Sequence, residues 1–241
     1  MARQSERRIK MTTKRITYII FMLLPLAVCG ISLFFLPDNI PAHYGSEMTA
    51  DRWGSKYESL IFPACIIGFG LFMLLVSKLA GKFDENNKQN EKIVLTVGLV
   101  VLIIFNAMNL FFEYLFVNQI TDMSDLPIDL LSLIITLFGV GFIIIGNILP
   151  KARMNSLLGF RTAWTMKNEV TWKKCQLFGG IMLMLNGIII AVGCLLFFKG
   201  NSAVFFMLAM IAVMTIIDAV YSYFIMKKYG NLSDNPDNEP Q

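Results

Sequence analysis

A group of charged side chains lies between two long apolar runs in the second half of the chain. The stretch 146–172, which we call the polar island, carries four cations and a single carboxylate: Lys151, Arg153, Arg161, Lys167 and Glu169. Cations of this kind bind lipid phosphates beneath a membrane, or they dock a cytoplasmic partner or an anionic headgroup. The residue types do not decide between these interpretations.

The stretch 37–58 contains the single histidine of the chain, His43, close to several carboxylates. Pro41, Asp51, Trp53 and Lys56 surround it in the sequence. An imidazole can act as a base, but the stretch offers no evident nucleophile and orienting partner, so we expect no catalysis here. Two interpretations remain, a solvated connector with Trp53 at the lipid headgroups and a surface that senses a molecule arriving from outside.

One apolar run carries three polar side chains at helical spacing. Asn106, Asn109 and Glu113 follow each other at i, i+3 and i+7 and therefore project from one helix face. An acidic side chain within a membrane is a functional candidate, because leaving it unpaired in lipid is costly. Glu113 lies near the end of its run, so structural pairing at the interface and a role in a polar cavity both stay open.

The last apolar run repeats this pattern with Thr215, Asp218 and Ser222. Asp218 lies deeper in its run than Glu113 does. A satisfied carboxylate in the bundle interior is one interpretation. We expect its partner to be Arg153 or Arg161 of the polar island, on the basis of depth and charge sign.

Six apolar runs must position these side chains. Of the 241 residues 56% are apolar, and the mean hydropathy is +0.61, whereas soluble domains average about 45–50% apolar residues. Each run is long enough to cross about 30 Å of hydrocarbon as a helix. The runs are 16–36, 59–80, 93–117, 128–149, 176–198 and 203–226. The sequence therefore predicts an all-α membrane protein with six transmembrane helices.

The distribution of cations predicts the orientation. All lysines and arginines except Arg52, Lys56 and Lys199 lie before residue 16 or in 78–92, 150–174 and 227–228. Because cytoplasmic loops collect positive charge, both termini and the polar island are expected in the cytoplasm. The organisation is then a basic tail (1–15), a helical hairpin with an outer loop (16–80), a four-helix membrane region (93–226) and a polar tail (227–241).

The remaining residue types argue against several classes of site. Cys29, Cys65, Cys175 and Cys194 show no C-x-x-C spacing and are expected to be buried as small hydrophobic residues. We predict no catalytic residue, no cofactor and no metal site. The net charge of +4 is too small to indicate direct nucleic-acid binding.

Small residues recur in the fourth and fifth runs. Gly139 and Gly146 in one run, and Gly180 and Gly187 in the other, form stripes that let helix backbones approach closely in lipid. Between these runs, Asn168 is expected to cap the helix that continues into the fifth span.

Two groups of residues resemble the SdpI family of bacterial membrane proteins. The family pattern is close to G-N-x-L-P, then N, then G-I/F-R-T-P-W-T, then E and W. The matching positions here are Gly146, Asn147, Leu149, Pro150, Asn155, Gly159, Phe160, Arg161, Thr162, Trp164, Thr165, Glu169 and Trp172. The outer loop is similar to a small domain of unknown function that often precedes this region, with matches at Leu36, Pro37, Ile40, Pro41, His43, Asp51, Trp53, Gly54, Ser55 and Lys56.

Three positions depart from these patterns. Ala163 replaces a proline, Met48 replaces a glycine, and Lys174-Cys175 replaces a Thr-His pair. The last change removes a titratable group beside the polar island.

The resemblance implies an immunity and signalling protein of the bacterial cytoplasmic membrane. Such a protein protects its cell from a secreted, membrane-active toxin peptide and recruits a small winged-helix repressor to the membrane. The partner-binding residues would be Asn147, Pro150, Arg153, Asn155, Gly159, Arg161, Thr162, Trp164, Thr165, Glu169 and Trp172. The peptide-sensing residues would be Pro41, His43, Asp51, Trp53 and Lys56.

Two other classes compete with this interpretation. Glu113 and Asp218, near opposite membrane faces, could belong to a proton-coupled or small-solute transporter. Many transporters have a helix broken in its middle and an internal repeat. Neither feature is evident in this sequence. A membrane enzyme is a third class, and no nucleophile–base pair supports it.

Overall fold

The computed structural model describes residues 2–82, 89–126, 129–155 and 157–232, so most of the expected polar tail lies outside the described residues. Within these ranges the chain forms six long helices, each long and apolar enough to cross a membrane. They are α1 (Ala2–Ser32), α2 (Ile61–Lys82), α3 (Gln89–Val117), α4 (Leu130–Ile148), α5 (Glu169–Leu196) and α6 (Asn201–Tyr229). The predicted all-α architecture with six transmembrane helices is confirmed.

The outer surface of the bundle suits lipid rather than water. Large apolar side chains face outward on every helix, and α6 shows this most clearly, with Phe205 71%, Ile216 64% and Phe224 61% exposed. In water such a surface would be an aggregation site, whereas acyl chains solvate it without cost.

A two-stranded antiparallel hairpin joins α1 to α2. Strand β1 (Asn39–Tyr44) pairs with β2 (Ala50–Ser55), and the register shifts on both sides of His43. The sequence predicted no strands in this loop and left open a solvated connector or a sensing surface. Pro41 can lie in β1 because a two-stranded sheet has only edge strands, where a missing N–H is tolerated.

The hairpin is tied to the other loops at the same end of the bundle. Ala50 N–H donates to the carbonyl of Thr121 after α3 (2.7 Å), and Asn201 at the start of α6 donates to the carbonyl of Ser46 (2.5 Å). The Tyr44 hydroxyl donates to the carbonyl of Ile120 (2.7 Å), and burial raises the pKa of Tyr44 to about 12. We call this the hairpin end and the opposite one, which carries the polar island, the island end.

Helices α1, α2 and α3 share one core. Its buried residues are Tyr18, Met22, Ile66, Leu95 and Leu102, and the Tyr18 hydroxyl donates to the carbonyl of Gly70 in α2 (3.0 Å). Polar contacts also join α1 to α3, including an ion pair between Arg15 and the buried Glu91 at the island end.

Helices α4 and α5 pack through the glycine stripes. A Cβ built on Gly139 would lie 2.7 Å from the carbonyl oxygen of Gly187, and one on Gly146 would lie 2.6 Å from that of Gly180. Distances this short leave no room for a side chain, so the backbones touch directly. Close approach increases van der Waals contact, which drives helix association where the hydrophobic effect is absent.

The turn between α5 and α6 is fixed to the start of α4. Asp129 caps α4 by accepting hydrogen bonds from Ser132, and it also accepts one from the backbone N–H of Gly200 (2.6 Å). Gly200 has a φ of +53°, a conformation that favours glycine. This one carboxylate therefore joins two loops of the hairpin end.

Candidate functional site

The polar island folds around a tryptophan from the first turn of α5. Trp172 is 1% exposed, packs with Ile93 of α3 and Ala152, and donates its indole N–H to the carbonyl of Ala152 (2.8 Å). A buried tryptophan needs such a partner for its N–H. The contact fixes the island against α3 and α5.

A glutamine one turn further along α5 holds the middle of the island. The Gln176 side chain accepts from Phe160 N–H (3.0 Å), donates to the Phe160 carbonyl (2.7 Å) and is fully buried. Gly159 has a φ of +106°, and an added Cβ would lie 2.7 Å from Oε1 of Gln176. Gln176 was not among the predicted site residues, and its signal in the sequence is an amide side chain just inside an otherwise apolar span.

Asn155 shapes the first part of the island. Its Oδ1 accepts from the N–H groups of Leu157 (2.8 Å) and Leu158 (2.7 Å), and its Nδ2 donates to the carbonyl of Arg153 (2.6 Å). Asn90 of α3 accepts from Arg153 N–H (3.1 Å), which attaches this segment to the island end of α3. Asn90, which sequence reasoning also missed, is 1% exposed.

Asn168 begins α5, as predicted, and also holds the end of α6. Its Oδ1 accepts from Thr171 N–H (2.8 Å), and Thr171 Oγ1 accepts from Asn168 N–H (3.2 Å), which completes a capping box. Its Nδ2 donates to the carbonyls of Tyr229 (2.9 Å) and Leu232 (3.2 Å). One side chain thus satisfies groups at the termini of two helices.

Thr162 and Thr165 brace the turn before this cap. Each backbone N–H donates to the hydroxyl of the other residue, at 2.9 Å from Thr162 and 3.1 Å from Thr165. Thr165 is fully buried, and Thr162 is half-buried. These hydroxyls therefore act on the local fold.

The predicted partner-binding residues differ in exposure, and Pro150, Gly159 and Thr162 are half-buried. Asn155, Thr165 and Trp172 are buried and hold the island in shape, whereas another group is at least a third exposed: Asn147, Arg153, Arg161, Trp164 and Glu169. Trp164 packs edge-on against Tyr223 of α6, with the ring centroids 5.4 Å apart. The exposed group forms the surface that a partner could reach.

The predicted pairing of Asp218 with Arg153 or Arg161 is wrong. Asp218 is 4% exposed, and among the described residues its Oδ1 has no hydrogen-bond partner and no arginine forms an ion pair with it. Depth and charge sign suggested the pairing, but both guanidinium-bearing side chains are exposed. Phe160, held by Gln176, lies against α5 near Asp218 instead.

Glu113 is buried inside the bundle and not open to the headgroup layer. It is 6% exposed and accepts a hydrogen bond from the Ser32 hydroxyl at the end of α1. On the same face, Asn106 donates to the carbonyl of Phe21 (2.8 Å), whereas the Nδ2 of buried Asn109 has no partner among the described residues. The polar face of α3 is therefore directed at α1, which favours the structural interpretation for Glu113.

The predicted sensing residues are mostly accessible on the hairpin. Nδ1 of His43 and Oδ1 of Asp51 are 2.6 Å apart with both side chains exposed, and Trp53 is 50% exposed. Lys56 binds Asp38 (2.9 Å), and Pro41 is buried. The hairpin thus presents an aromatic ring and an imidazole–carboxylate pair at one membrane face.

The described residues contain no group of three or more His, Cys, Asp or Glu side chains that could hold a metal ion. Cys29, Cys175 and Cys194 are buried as expected, whereas the expected burial of Cys65 is wrong, because this residue lies on the outward face of α2. The buried carboxylates of the described residues lie on two helices, with Glu91 and Glu113 near opposite ends of α3 and Asp218 on α6.

Six spanning helices, a lipid-facing apolar surface and a folded island define a multi-pass α-helical membrane protein. Residues 151–222 match the SdpI/YfhL protein family, and residues 20–67 match a domain of unknown function (DUF1648). The chain is 30% identical over 222 residues to Immunity protein SdpI of Bacillus subtilis (strain 168), covering 89% of this chain and 97% of that protein. The chain therefore belongs to the SdpI family and is a multi-pass protein of the bacterial cell membrane. No solved structure matches it.

Proposed function

We propose that this chain is an immunity protein that protects its cell from a secreted, membrane-active peptide. The observation that carries this proposal is the similarity to Immunity protein SdpI, which extends over 97% of that relative and includes the whole polar island. Conversion of a peptide into a harmless product is not required for such protection. Binding or shielding at the membrane is sufficient.

The proposed orientation places both termini and the polar island in the cytoplasm. The distribution of lysine and arginine supports it, because the island end collects the cations of the tail, the island and the end of α6. The hairpin then faces outward, where a secreted peptide arrives. Its exposed Trp53, His43 and Asp51 are the residues that we assign to peptide sensing.

The island is the proposed docking surface for a small winged-helix repressor. Its backbone is held by Trp172, Gln176 and Asn168, so the exposed Arg153, Arg161 and Trp164 are presented from a rigid base. Arginine and tryptophan are the residue types that contribute most to protein interfaces, and a rigid base lowers the entropy lost on binding.

A route for signalling runs from the hairpin to the helices. The hairpin bonds to the residues after α3 and to the start of α6, and the far ends of both helices contact the island through Asn90 and Tyr229. A peptide bound outside can change the island only if it binds two arrangements of these helices unequally.

Survival tests the protective function. A strain lacking this gene is exposed to the cognate peptide, and the wild-type chain is expected to restore growth. A strain that is equally resistant with and without the gene would contradict immunity.

Replacing both Arg153 and Arg161 with Gln is expected to abolish membrane recruitment of the repressor while the protein still inserts. Lys199→Gln, at the hairpin end, is the matched control and should leave recruitment intact.

A further inference from the structure

A cavity of about 270 Å³ lies between the polar island and helices α3 to α6. Its walls are apolar and include Ile93 of α3, Leu149, Phe160 of the island, Leu183 of α5 and Met214 of α6. Sites for drug-sized ligands range from about 300 to 1,000 Å³, so this cavity, just below that range, has room for a ligand of only a few heavy atoms. The residues assigned to peptide sensing and repressor docking do not line it, except for Gly159.

One carboxylate interrupts the apolar lining. Asp218 is 4% exposed and is the only charged side chain among the described residues that line the cavity. Its Oδ1 has no hydrogen-bond partner among the described residues. A carboxylate buried without a partner is costly, and it is tolerated when it carries a proton or meets a cation.

Gly179 provides the space beside this carboxylate. A Cβ on Gly179 would lie 3.6 Å from Oδ2 of Asp218 and 3.8 Å from Phe160 Cβ, so a small side chain fits there without overlap. Because Gly179 lines the cavity, a larger side chain at this position would extend into the space and fill it.

We propose that this cavity binds a small amphiphilic ammonium ion, with its nitrogen at the Asp218 carboxylate on the side of Oδ2, next to Gly179, and its hydrocarbon part against the apolar walls. The negative charge selects a cation, and the absence of other charged groups among the described lining residues selects an apolar body. The amine can belong to a free small molecule or to the headgroup of phosphatidylethanolamine. This inference does not depend on the proposed immunity function, since it concerns binding by the protein alone.

Calorimetric titration of the purified full-length protein in phosphatidylcholine nanodiscs with n-butylammonium chloride tests the proposal, with heats from empty nanodiscs subtracted. Binding is expected for butylammonium and not for 1-butanol. Asp218→Asn should weaken binding by about tenfold or more, because it removes a charge-assisted hydrogen bond. Gly179→Leu keeps the carboxylate but fills the space, so it should abolish binding.

Helical circular dichroism and a monodisperse elution profile establish that both variants fold. Glu113→Gln, which changes a buried carboxylate far from the cavity, should bind butylammonium as the wild type does. Nanodiscs containing phosphatidylethanolamine distinguish the two sources of the amine: competition with butylammonium indicates the lipid headgroup, and unchanged affinity indicates a free amine. The proposal is overturned if the wild type does not bind butylammonium, if 1-butanol binds equally well, or if a folded Asp218→Asn variant binds without loss.

Discussion

Gln176 forms two hydrogen bonds with the backbone of a single residue, Phe160, and so attaches the middle of the polar island to α5. The side-chain amide donates to the carbonyl of Phe160 (2.7 Å) and accepts from its N–H (3.0 Å), as the backbone of a neighbouring β-strand would. The exposed Arg161 follows Phe160 directly in the chain. Its position therefore depends on a buried amide that no partner protein can touch.

Replacing Gln176 with Leu leaves the N–H and carbonyl of Phe160 buried without partners. Each unpaired group costs about 1–3 kcal/mol, so a clear fall in thermal stability is expected together with faster proteolysis within the island. Thermal unfolding in detergent and limited proteolysis measure these effects. Leu177→Met, at the adjacent lipid-facing position, is the control. Equal stability of the Gln176→Leu variant and the wild type would argue that the two hydrogen bonds are dispensable.

Gly187→Ala is expected to force α4 and α5 apart. The added Cβ would overlap the carbonyl oxygen of Gly139, and overpacking of this kind typically costs about 1–3 kcal/mol. The unfolding midpoint should fall. Gly68→Ala is the matched control, because nothing lies within 4 Å of an added Cβ there, and its helix should be slightly more stable. The reverse order of stabilities would contradict close packing of α4 and α5.

Met48→Gly is expected to stabilise the hairpin. Met48 has a φ of +63°, a left-handed conformation that costs a residue with a side chain about 1 kcal/mol. The pattern that this loop resembles has glycine at the same position. Hydrogen exchange of the hairpin amides should slow, even though glycine adds some freedom to the unfolded chain. Faster exchange than in the wild type would show that the Met48 side chain contributes more than the strain removes.

Asp129 is expected to make the hairpin end sensitive to acid. Burial opposes ionisation, but hydrogen bonds from Ser132 and Gly200 and the nearby Lys199 outweigh it and lower the pKa of Asp129. A carboxyl whose pKa is lower in the folded state stabilises that state at pH values above its unfolded pKa of about 4. This stabilisation is lost as the pH falls through the folded pKa.

An Asp129→Asn variant tests this expectation. It should be less stable than the wild type at neutral pH, and the difference should shrink as the pH is lowered below about 4. Thermal unfolding across a pH series measures the difference. Glu47→Gln, which removes an exposed carboxylate from the turn of the hairpin, is the control. A stability gap that stays constant with pH would exclude Asp129 as the titrating group.

The sequence was sufficient for the features that depend on local pattern. The six spans follow from the length of apolar runs, and Asn168 follows from capping preference next to a helix start. The glycine stripes correctly indicated close packing, since Gly139 meets Gly187. In each case neighbouring residues carry the information.

Features that depend on distant partners could not be predicted. Gln176 and Asn90 look like ordinary polar residues at helix ends until the island folds against them. The pairing of Asp218 failed because depth and charge sign do not tell which way an arginine side chain points. The hairpin was missed because its strands are short and contain Pro41, which weakens the alternating pattern.

The two helix termini joined by Asn168 determine where the rest of the C-terminal tail begins. Leu232, the last described residue, accepts a hydrogen bond from the same amide that starts α5. A fluorescent protein fused directly after Leu232 would therefore lie close to the proposed docking surface and would crowd the proposed repressor. Imaging of recruitment is best done with the label on the repressor and an untagged membrane protein.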